Sequence, residues 1–195
     1  IKGVKRVCRA FRDAAGPAVQ SLRLVCFEGH TGDVLSVTVA DDGQLITAGA
    51  EGAVKVWSAA SVRTIKAWAV HAVAALPGAA RFVSASDSGR SPAKLWTLDG
   101  VRQRGFEALN GACLVSCVAA LPDGVHFVVG FRNSWVRLYH VDGKLVKTFE
   151  GHSSSVKAVA VTPDGQHIIS TSEERNVKVW NVTSKSLVST CAGQT

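Results

Sequence analysis

Short runs of alternating apolar and polar residues occur throughout the chain, the pattern expected of strands that bury one face. Four of these runs end in an aromatic residue, and the four aromatic residues are 39, 43 and 41 residues apart; the runs are Val54–Trp57, Ala93–Trp96, Val136–Tyr139 and Val177–Trp180. A period of about forty residues is typical of folds built from four-stranded units. The pattern therefore predicts an all-β repeat protein.

Two further features recur with the same period. The tetrapeptide Phe27-Glu28-Gly29-His30 returns unchanged at residues 149–152, three repeat lengths later. Each unit also contains a short turn rich in Pro, Asp and Gly, at residues 41–43, 77–78, 122–124 and 163–165. Asp and Gly tolerate the left-handed backbone angles of a tight reversal between two strands. These turns therefore indicate antiparallel pairing within each unit.

Together, the Gly-His element, the turn and the closing aromatic residue resemble the WD-repeat family over residues 21–195. The resemblance implies a β-propeller, in which four-stranded antiparallel blades surround a central channel. We expect about four blades, at about residues 33–67, 69–107, 112–150 and 155–192. Four blades do not close the usual ring of seven, so they should form an open arc, a partial ring.

Both ends of the chain suggest a piece of a longer protein. The chain has no methionine, and Gly193 begins what looks like another Gly-His element 42 residues after Gly151. Residues 21–28 align with the outermost strand of a blade, but nothing upstream supplies the three inner strands. We expect this orphan strand to belong to the closing blade of a complete ring.

The resemblance also assigns a set of four side chains in each of the two most regular units. In the family, a loop histidine links a strand hydroxyl and a turn carboxylate to the indole of the closing tryptophan. The matching residues are His30, Thr47, Glu51 and Trp57 in the first unit, and His152, Ser170, Glu174 and Trp180 in the fourth. Both sets have Glu where the family usually has Asp. We call each set a tetrad.

A Ser-His-acid set can instead be a nucleophilic triad. Recurrence of this set at the repeat spacing favours a structural role, so we expect no enzyme and no catalytic residue. The second and third units depart from the pattern, with Lys66-Ala67-Trp68 in place of Glu-Gly-His, and with Val129 and Asn133 in place of the hydroxyl and the carboxylate. We expect those two blades to be held mainly by packing.

A basic residue lies two positions before each closing aromatic residue and shares its strand face: Lys55, Lys94, Arg137 and Lys178. We expect the aliphatic stem of each to pack over the ring while the charged head reaches solvent. A basic binding stripe is the alternative interpretation.

Composition argues against several classes of protein. No apolar run approaches the eighteen or so residues of a membrane-spanning helix. The five cysteines lack the CxxC spacing of a zinc site, and no glycine loop or carboxylate pair points to a phosphate or an acid-base site. We therefore expect no cofactor, no metal and no membrane partner, and a cytoplasmic or nuclear location.

Much of the formal charge of +7 lies in residues 1–13, which hold five basic residues and one acidic residue. Apolar residues at helical spacing followed by Gly16-Pro17 predict a basic amphipathic helix over residues 1–17. Within it, Val7–Ala14 resembles the end of an F-box, without the Leu-Pro opening of that motif. F-box proteins often carry propellers and act as substrate receptors of cullin-type ubiquitin ligases. An ordinary amphipathic helix is the alternative.

Two functions fit these features. The favoured one is a non-catalytic protein–protein interaction scaffold that binds proteins or peptides on the propeller face; in its narrower form it is a ubiquitin-ligase substrate receptor with an F-box adaptor partner. The alternative is a WD-repeat scaffold in RNA or ribosome assembly whose basic N-terminal arm contacts phosphates. Nucleic acid is the less favoured partner, because the charge is concentrated in that short segment.

The resemblance further implies a binding face at one end of the channel. Its candidates flank the first apolar residue of each innermost strand or precede the turn carboxylate: Asp33, Leu35, His71, Ser116, Arg132, Trp135, Lys157 and Glu173, with Ser86 at the turn position of the second unit. Phe131 and Trp135 flank Arg132, and an arginine beside aromatic residues is typical of interface hot spots. We expect an acidic or aromatic-bearing peptide there. Alternatively, Trp135 folds back to fill the space left by the missing tetrad.

Overall fold

A computed structural model of the chain describes residues 28–58, 61–87, 91–107 and 114–193. These residues form sixteen strands in four separate antiparallel sheets of four strands each, which confirms the predicted all-β fold. The expected helix over residues 1–17 and all but the last residue of the expected strand 21–28 lie outside the described residues. Nowhere in the described ranges is there a helix long and apolar enough to cross a membrane.

In every sheet the strands pair in chain order. Sheet by sheet, they are β1 (Val34–Val39), β2 (Leu45–Gly49), β3 (Ala53–Trp57) and β4 (Val62–Lys66); β5 (Val70–Leu76), β6 (Arg81–Ser86), β7 (Ala93–Thr97) and β8 (Arg102–Phe106); β9 (Val115–Ala120), β10 (His126–Phe131), β11 (Val136–His140) and β12 (Leu145–Phe149); β13 (Val156–Val161), β14 (His167–Ser172), β15 (Asn176–Asn181) and β16 (Ser186–Ala192).

The four sheets follow one another as blades of an open arc. Their first strands are neighbours, because β5 packs against both β1 and β9, and β9 packs against β13. The outer sides of the two end blades are uncovered: Val37 and Val39 of β1 are 53% and 51% exposed, and every residue of β16 is exposed. The predicted partial ring of about four blades is therefore confirmed.

Each junction between blades pairs an aliphatic face with an aromatic face. The third strand of a blade alternates, so that Val54 and Val56 of β3 face the second blade, while Trp96 of β7 faces back toward the first. At the last junction, Leu138 of β11 packs in the same cluster as Trp180 of the fourth blade. The period-two alternation of the third strand therefore gives each blade an apolar contact with every blade beside it.

Aromatic packing dominates the junction between the second and third blades. The ring of Phe106 on β8 lies 4.7 Å from that of Phe127 and 5.7 Å from that of Tyr139, measured between centroids. Phe127 and Tyr139 are stacked at 5.6 Å, and all three side chains are buried. Offset and edge-to-face contacts of this kind stabilise a core beyond the apolar area they bury.

The innermost strands approach one another closely. The Ser36 hydroxyl of β1 accepts a hydrogen bond of 3.1 Å from the backbone N–H of Val73, and Thr38 accepts one of 3.3 Å from that of Ala75. These hydroxyls provide acceptors for N–H groups on the edge of the second sheet, groups that the sheet's own ladder leaves without a partner.

The basic residues of the third strands are less exposed than expected. Arg137 is 2% exposed, and Lys94 and Lys178 are each 8% exposed. The ammonium of Lys178 donates to the Thr190 hydroxyl at 3.2 Å, and that of Lys55 donates to Thr64 at 2.7 Å, both across to the outermost strand. The expectation that these heads reach solvent is wrong for the three buried residues, because adjacent hydroxyls and rings surround them.

The close approach of the third and fourth blades yields a test at Gly130 on β10. An added Cβ would lie 2.5 Å from the sulfur of Cys117 and 2.7 Å from Cγ1 of Val156. We expect Gly130→Ala to lower the free energy of unfolding by about 1–3 kcal/mol, because overpacking forces these buried groups apart. Chemical denaturation measures the change.

Gly105→Ala is the matched control, since it too places a methyl group in a strand. There the nearest atoms, at 2.6 and 2.8 Å, are the ends of the Arg102 and Ser91 side chains, which can move. We expect little change in stability. Equal losses in the two variants would contradict close packing at the junction between the third and fourth blades.

Candidate functional site

The antiparallel order of the strands sorts the loops to two ends of the arc. In each blade the loop leading into the first strand and the turn between the second and third strands lie at one end, which we call the upper face. The turns after the first and third strands lie at the other end, the lower face. All tetrad histidines and carboxylates, and the candidate binding residues, belong to upper-face loops or to the strand residues beside them.

In the fourth blade the tetrad residues form one hydrogen-bonded network. The indole N–H of Trp180 donates to the Ser170 hydroxyl at 2.8 Å, and Nε2 of His152 lies 2.7 Å from the same oxygen. Nδ1 of His152 lies 2.5 Å from Oε1 of Glu174. The second carboxylate oxygen of Glu174 accepts from the backbone N–H of Ser153 at 3.0 Å and from the Ser153 hydroxyl.

The first blade repeats this arrangement. The Trp57 indole donates to the Thr47 hydroxyl at 2.7 Å, and Nε2 of His30 lies 2.6 Å from that oxygen. Nδ1 of His30 is hydrogen-bonded to Glu51, whose second oxygen accepts from the backbone N–H of Gly32 at 3.2 Å. The longer Glu side chain thus reaches both the histidine and the loop backbone in each of these two blades.

The network holds the hydroxyl in a structural role. Ser170 is fully buried, and its oxygen already contacts both an indole N–H and an imidazole nitrogen. The hydrogen bonds from Ser153 and then His152 lower the pKa of Glu174 from its ordinary 4.5 to about 2. A carboxylate held ionised in this way fixes the loop that carries His152 against the turn that carries Glu174.

The second blade keeps half of the network. The Trp96 indole donates to the Ser84 hydroxyl at 2.9 Å, and both residues are buried. This hydrogen bond adds to the packing that is expected to hold the blade. The loop residue in place of the histidine is Trp68, and its side chain is 73% exposed.

Five charged or ionisable side chains lie on the upper face of three consecutive blades, in two contacting groups. His71 Nε2 lies 2.7 Å from the Asp87 carboxylate within the second blade, and Lys157 lies 2.5 Å from Glu173 within the fourth. Arg132 of the third blade lies 3.6 Å from Asp87, so it links the second and third blades. The carboxylate of Asp87 also accepts the backbone N–H of Val115 from the third blade at 2.9 Å. We call these five residues the charged band.

Asp87 is the member of the band that the sequence pattern missed. The strand register pairs Val70 with Ser86, and the equivalent pairs in the next blades are Val115 with Phe131 and Val156 with Ser172. Asp87, and not Ser86, is therefore equivalent to Arg132 and Glu173. Counting from the first apolar residue of each innermost strand identifies Asp87, whereas taking the residue before the expected turn carboxylate identifies Ser86.

The other candidates take up different positions. Leu35 is 46% exposed, at the start of the innermost strand of the first blade. Asp33 is exposed, and its carbonyl accepts the Ala50 N–H at 2.8 Å. Ser116 is half-buried and donates to the carbonyl of Gly130 at 3.0 Å.

Trp135 is half-buried and packs inward. The centroid of its ring lies 4.6 Å from the guanidinium carbon of Arg137. The same carbon lies 5.2 Å from the centroid of the Phe131 ring. The third blade lacks the tetrad, and this stacking of an arginine with two aromatic rings occupies the inner side of the same loop. Trp135 therefore folds back toward the space left by the missing tetrad, as in the alternative interpretation. Only part of its ring is at the surface.

The upper face is less basic than Arg132 alone would suggest. Both exposed cations, Arg132 and Lys157, have acidic neighbours, and the hydrogen bond from Lys157 lowers the pKa of Glu173. The band presents as many acids as permanent cations. It therefore does not favour the acidic peptide expected from Arg132 alone. No group of three or more His, Cys, Asp or Glu residues in the described ranges could hold a metal ion.

Comparison with known proteins agrees with this geometry. Residues 21–58 and 143–181 match the family model described as WD domain, G-beta repeat. These two segments hold the closing tryptophans and loop histidines of the two complete tetrads. The second blade and the first three strands of the third blade lie outside the matched segments, while β12 of the third blade lies within the second segment.

Several curated proteins are similar to most of the chain. It is 28% identical over 172 residues to transcription initiation factor TFIID subunit 5 of Caenorhabditis elegans, covering 84% of this chain and 26% of that protein. It is 26% identical over 167 residues to WD repeat-containing protein SL1-17 of Schistosoma mansoni, covering 83% of this chain and 55% of that protein. The chain thus spans between about a quarter and about half of these relatives.

A shorter match, of higher identity, covers 31% of the chain. Over 63 residues it is 40% identical to the ribosome biogenesis protein WDR12 homolog of Caenorhabditis briggsae, of which it covers 14%.

The tetrad makes Trp180 a test of stability. It is 2% exposed, and its indole N–H donates to a buried acceptor. We expect Trp180→Ala to lower the free energy of unfolding by about 3–5 kcal/mol, through loss of buried area and a residual cavity. Lys178→Met is the control on the same strand face and should cost about 1 kcal/mol. Unchanged thermal stability of the Trp180→Ala variant would contradict the network.

The acid dependence of stability tests Glu174. Its pKa is lowered on folding to about 2, so its contribution is complete above the ordinary pKa of 4.5 and is lost as the pH falls toward 2. We therefore expect wild type to be more stable than Glu174→Gln at pH 7, and the difference to shrink between pH 5 and pH 2. Denaturation at several pH values measures it. A difference that stays constant or grows in acid would rule out this role.

Proposed function

We propose that this chain of WD40 repeats is a non-catalytic scaffold for protein–protein interactions, and that its upper face is the binding surface. The observation that carries the proposal is the charged band, in which His71, Asp87, Arg132, Glu173 and Lys157 extend over three consecutive blades. Side chains on turns that a rigid sheet scaffold positions are the usual means by which loops bind partners.

Burial and exposure within the band support this use. Asp87 is held by two blades at once, while the side chains of Arg132, Lys157 and Glu173 are 49%, 57% and 51% exposed. The inner part of the band is therefore anchored and the outer part is accessible. A partner can replace the long 3.6 Å contact of Arg132 with a shorter charge-assisted hydrogen bond without unfolding the turn.

The hydroxyl-histidine-acid sets support a non-catalytic role. Both sets use their hydroxyl oxygen to accept the indole N–H of a buried tryptophan. A nucleophile needs a hydroxyl that can reach substrate, whereas these hydroxyls lie between strand and loop. We place the protein in the cytoplasm or nucleus, which accords with the similarity to a transcription initiation factor subunit.

The narrower form of the proposal is a substrate receptor of a cullin-type ubiquitin ligase. It rests on the resemblance of Val7–Ala14 to the end of an F-box, and those residues lie outside the described part of the chain. Co-purification of the full-length protein with purified F-box adaptor tests it. Binding that disappears when residues 1–17 are deleted supports the receptor role, and absence of binding by the full-length protein refutes it.

A scaffold role in ribosome assembly is the second candidate. The 40% identity over 63 residues to a ribosome biogenesis protein favours it, as does the basic segment at residues 1–13. Contacts between this segment and RNA phosphates would release counterions, so RNA binding should weaken steeply as salt rises. Filter binding to ribosomal RNA at 50 and 200 mM salt measures this, and an affinity independent of salt would count against RNA contact.

Substitution at the outer end of the band tests the main proposal. We expect the double variant Arg132→Ala, Lys157→Ala to lose at least tenfold of its affinity for a partner identified by cross-linking to the wild-type protein. The fold should be kept, because substitutions of exposed surface residues usually change stability by about 0.5 kcal/mol or less. Calorimetric titration measures the affinity, and circular dichroism checks the fold.

The lower face provides the control, in the double variant Lys144→Ala, Lys185→Ala. It also removes two exposed lysines, from turns at the opposite end of the blades. Its affinity for the partner should be unchanged. A loss of affinity in the lower-face variant alone would move the binding surface to the other end.

A further inference from the structure

Trp68 differs from the other tryptophans of the described chain. Trp57, Trp96 and Trp180 are buried and Trp135 is half-buried, whereas Trp68 is 73% exposed. It lies on the upper face, in the loop from β4 to β5. A large aromatic side chain in solvent lacks the free energy that its burial would provide. The exposure of Trp68 therefore needs a structural explanation.

The cause is the length of the loop. Three residues, 67–69, separate β4 from β5, whereas six residues, 150–155, separate β12 from β13. The longer loop folds His152 inward beneath the turn. In the shorter loop Trp68 and Ala69 are both in the left-handed region, at φ 52° and 47°. Residues with a Cβ rarely take this conformation, and here it turns the indole outward.

Hydrogen bonds hold this loop from both sides. The backbone N–H groups of Ala67 and Trp68 both donate to the carbonyl of Gly52, each at 3.0 Å. The carbonyl of Ala69 accepts the N–H of Asp87 at 3.1 Å. The indole is therefore presented on a fixed backbone between the turn of the first blade and the turn of the second.

Each of these two turns carries a carboxylate. Glu51 directly precedes Gly52, and its pKa stays below the ordinary value because hydrogen bonds from His30 and the backbone outweigh the effect of burial. Asp87 itself supplies the N–H that bonds Ala69, and its carboxylate is 18% exposed. Asp87 also contacts Arg132 of the third blade at 3.6 Å, whereas Lys66 ends the outermost strand β4.

We propose that Trp68 binds a cationic side chain, arginine or lysine, of the partner protein, with Glu51 and Asp87 flanking the indole. The π face of an indole attracts a cation, and carboxylates on either side add to the same attraction. Exposed tryptophans on rigid backbone are also the most frequent anchors of interfaces. This inference rests on the upper face being the binding surface, and it gives the partner's chemistry: a basic segment.

The test follows the Trp68 indole N–H resonance of the ¹⁵N-labelled full-length protein, assigned by its absence in Trp68→Phe. Three probe peptides of the same length are titrated: Gly-Arg-Gly-Arg-Gly with both ends blocked, the same peptide with citrulline, and the same peptide with glutamate. We expect the arginine peptide to shift the resonance and bind most tightly. We expect the citrulline peptide to bind weakly and the glutamate peptide not to bind.

Trp68→Leu keeps an apolar side chain but removes the π face, and exposure at this site makes it neutral for folding. It should weaken binding of the arginine peptide about three- to thirtyfold. Unchanged binding in this variant, no shift at millimolar arginine peptide, or equal affinity for the glutamate peptide would each overturn the proposal.

Binding of the cross-linked partner distinguishes a failure of the Trp68 proposal from a failure of the scaffold proposal. If Trp68→Leu binds the partner normally while Arg132→Ala, Lys157→Ala does not, the upper face is the binding surface and only the role of Trp68 is wrong. If both variants bind the partner normally, the upper face itself is wrong.

Discussion

The indole N–H of a tryptophan buried between two blades must have an acceptor, and much of the upper face follows from how each blade supplies one. In the first and fourth blades a strand hydroxyl accepts it, a loop histidine holds the hydroxyl, and a turn carboxylate holds the histidine. The histidine and the carboxylate come from the two loops that make up the upper face. One buried donor therefore fixes the conformation of both surface loops.

The accessible chemistry is richest where this network is incomplete. In the second blade the loop is short and carries no histidine beneath the turn, Trp68 turns outward, and Asp87 bonds to His71 and to the next blade. In the third blade Arg137 stacks with two aromatic rings in place of the network. Two regular blades thus stabilise the arc, and the two irregular ones supply much of the charged band and its exposed aromatic group.

The repeat period and strand alternation predicted the fold because both follow from burying one face of each strand against a neighbour. The tetrad residues named from the family resemblance lie in hydrogen-bonding contact in the structure, since each is positioned by a strand or a short loop of standard length. Asp87 and Trp68 escaped prediction because their positions depend on loop length. The turn after β6 is longer, so Asp87 takes the position of Arg132 and Glu173 and is not the turn carboxylate that the pattern predicts, and a shorter loop turns Trp68 outward. The buried heads of Lys94 and Lys178 depend on hydroxyls from strands whose pairing the pattern does not reveal.

The central claim is that partners bind the upper face and leave the lower face free. Hydrogen–deuterium exchange of the full-length protein, with and without its cross-linked partner, tests it most directly. The account predicts slower exchange at residues 67–71, 86–87, 131–133 and 155–157 on binding, and unchanged exchange in the lower turns at residues 122–126, 141–144 and 163–166. Slower exchange confined to those lower turns would contradict it.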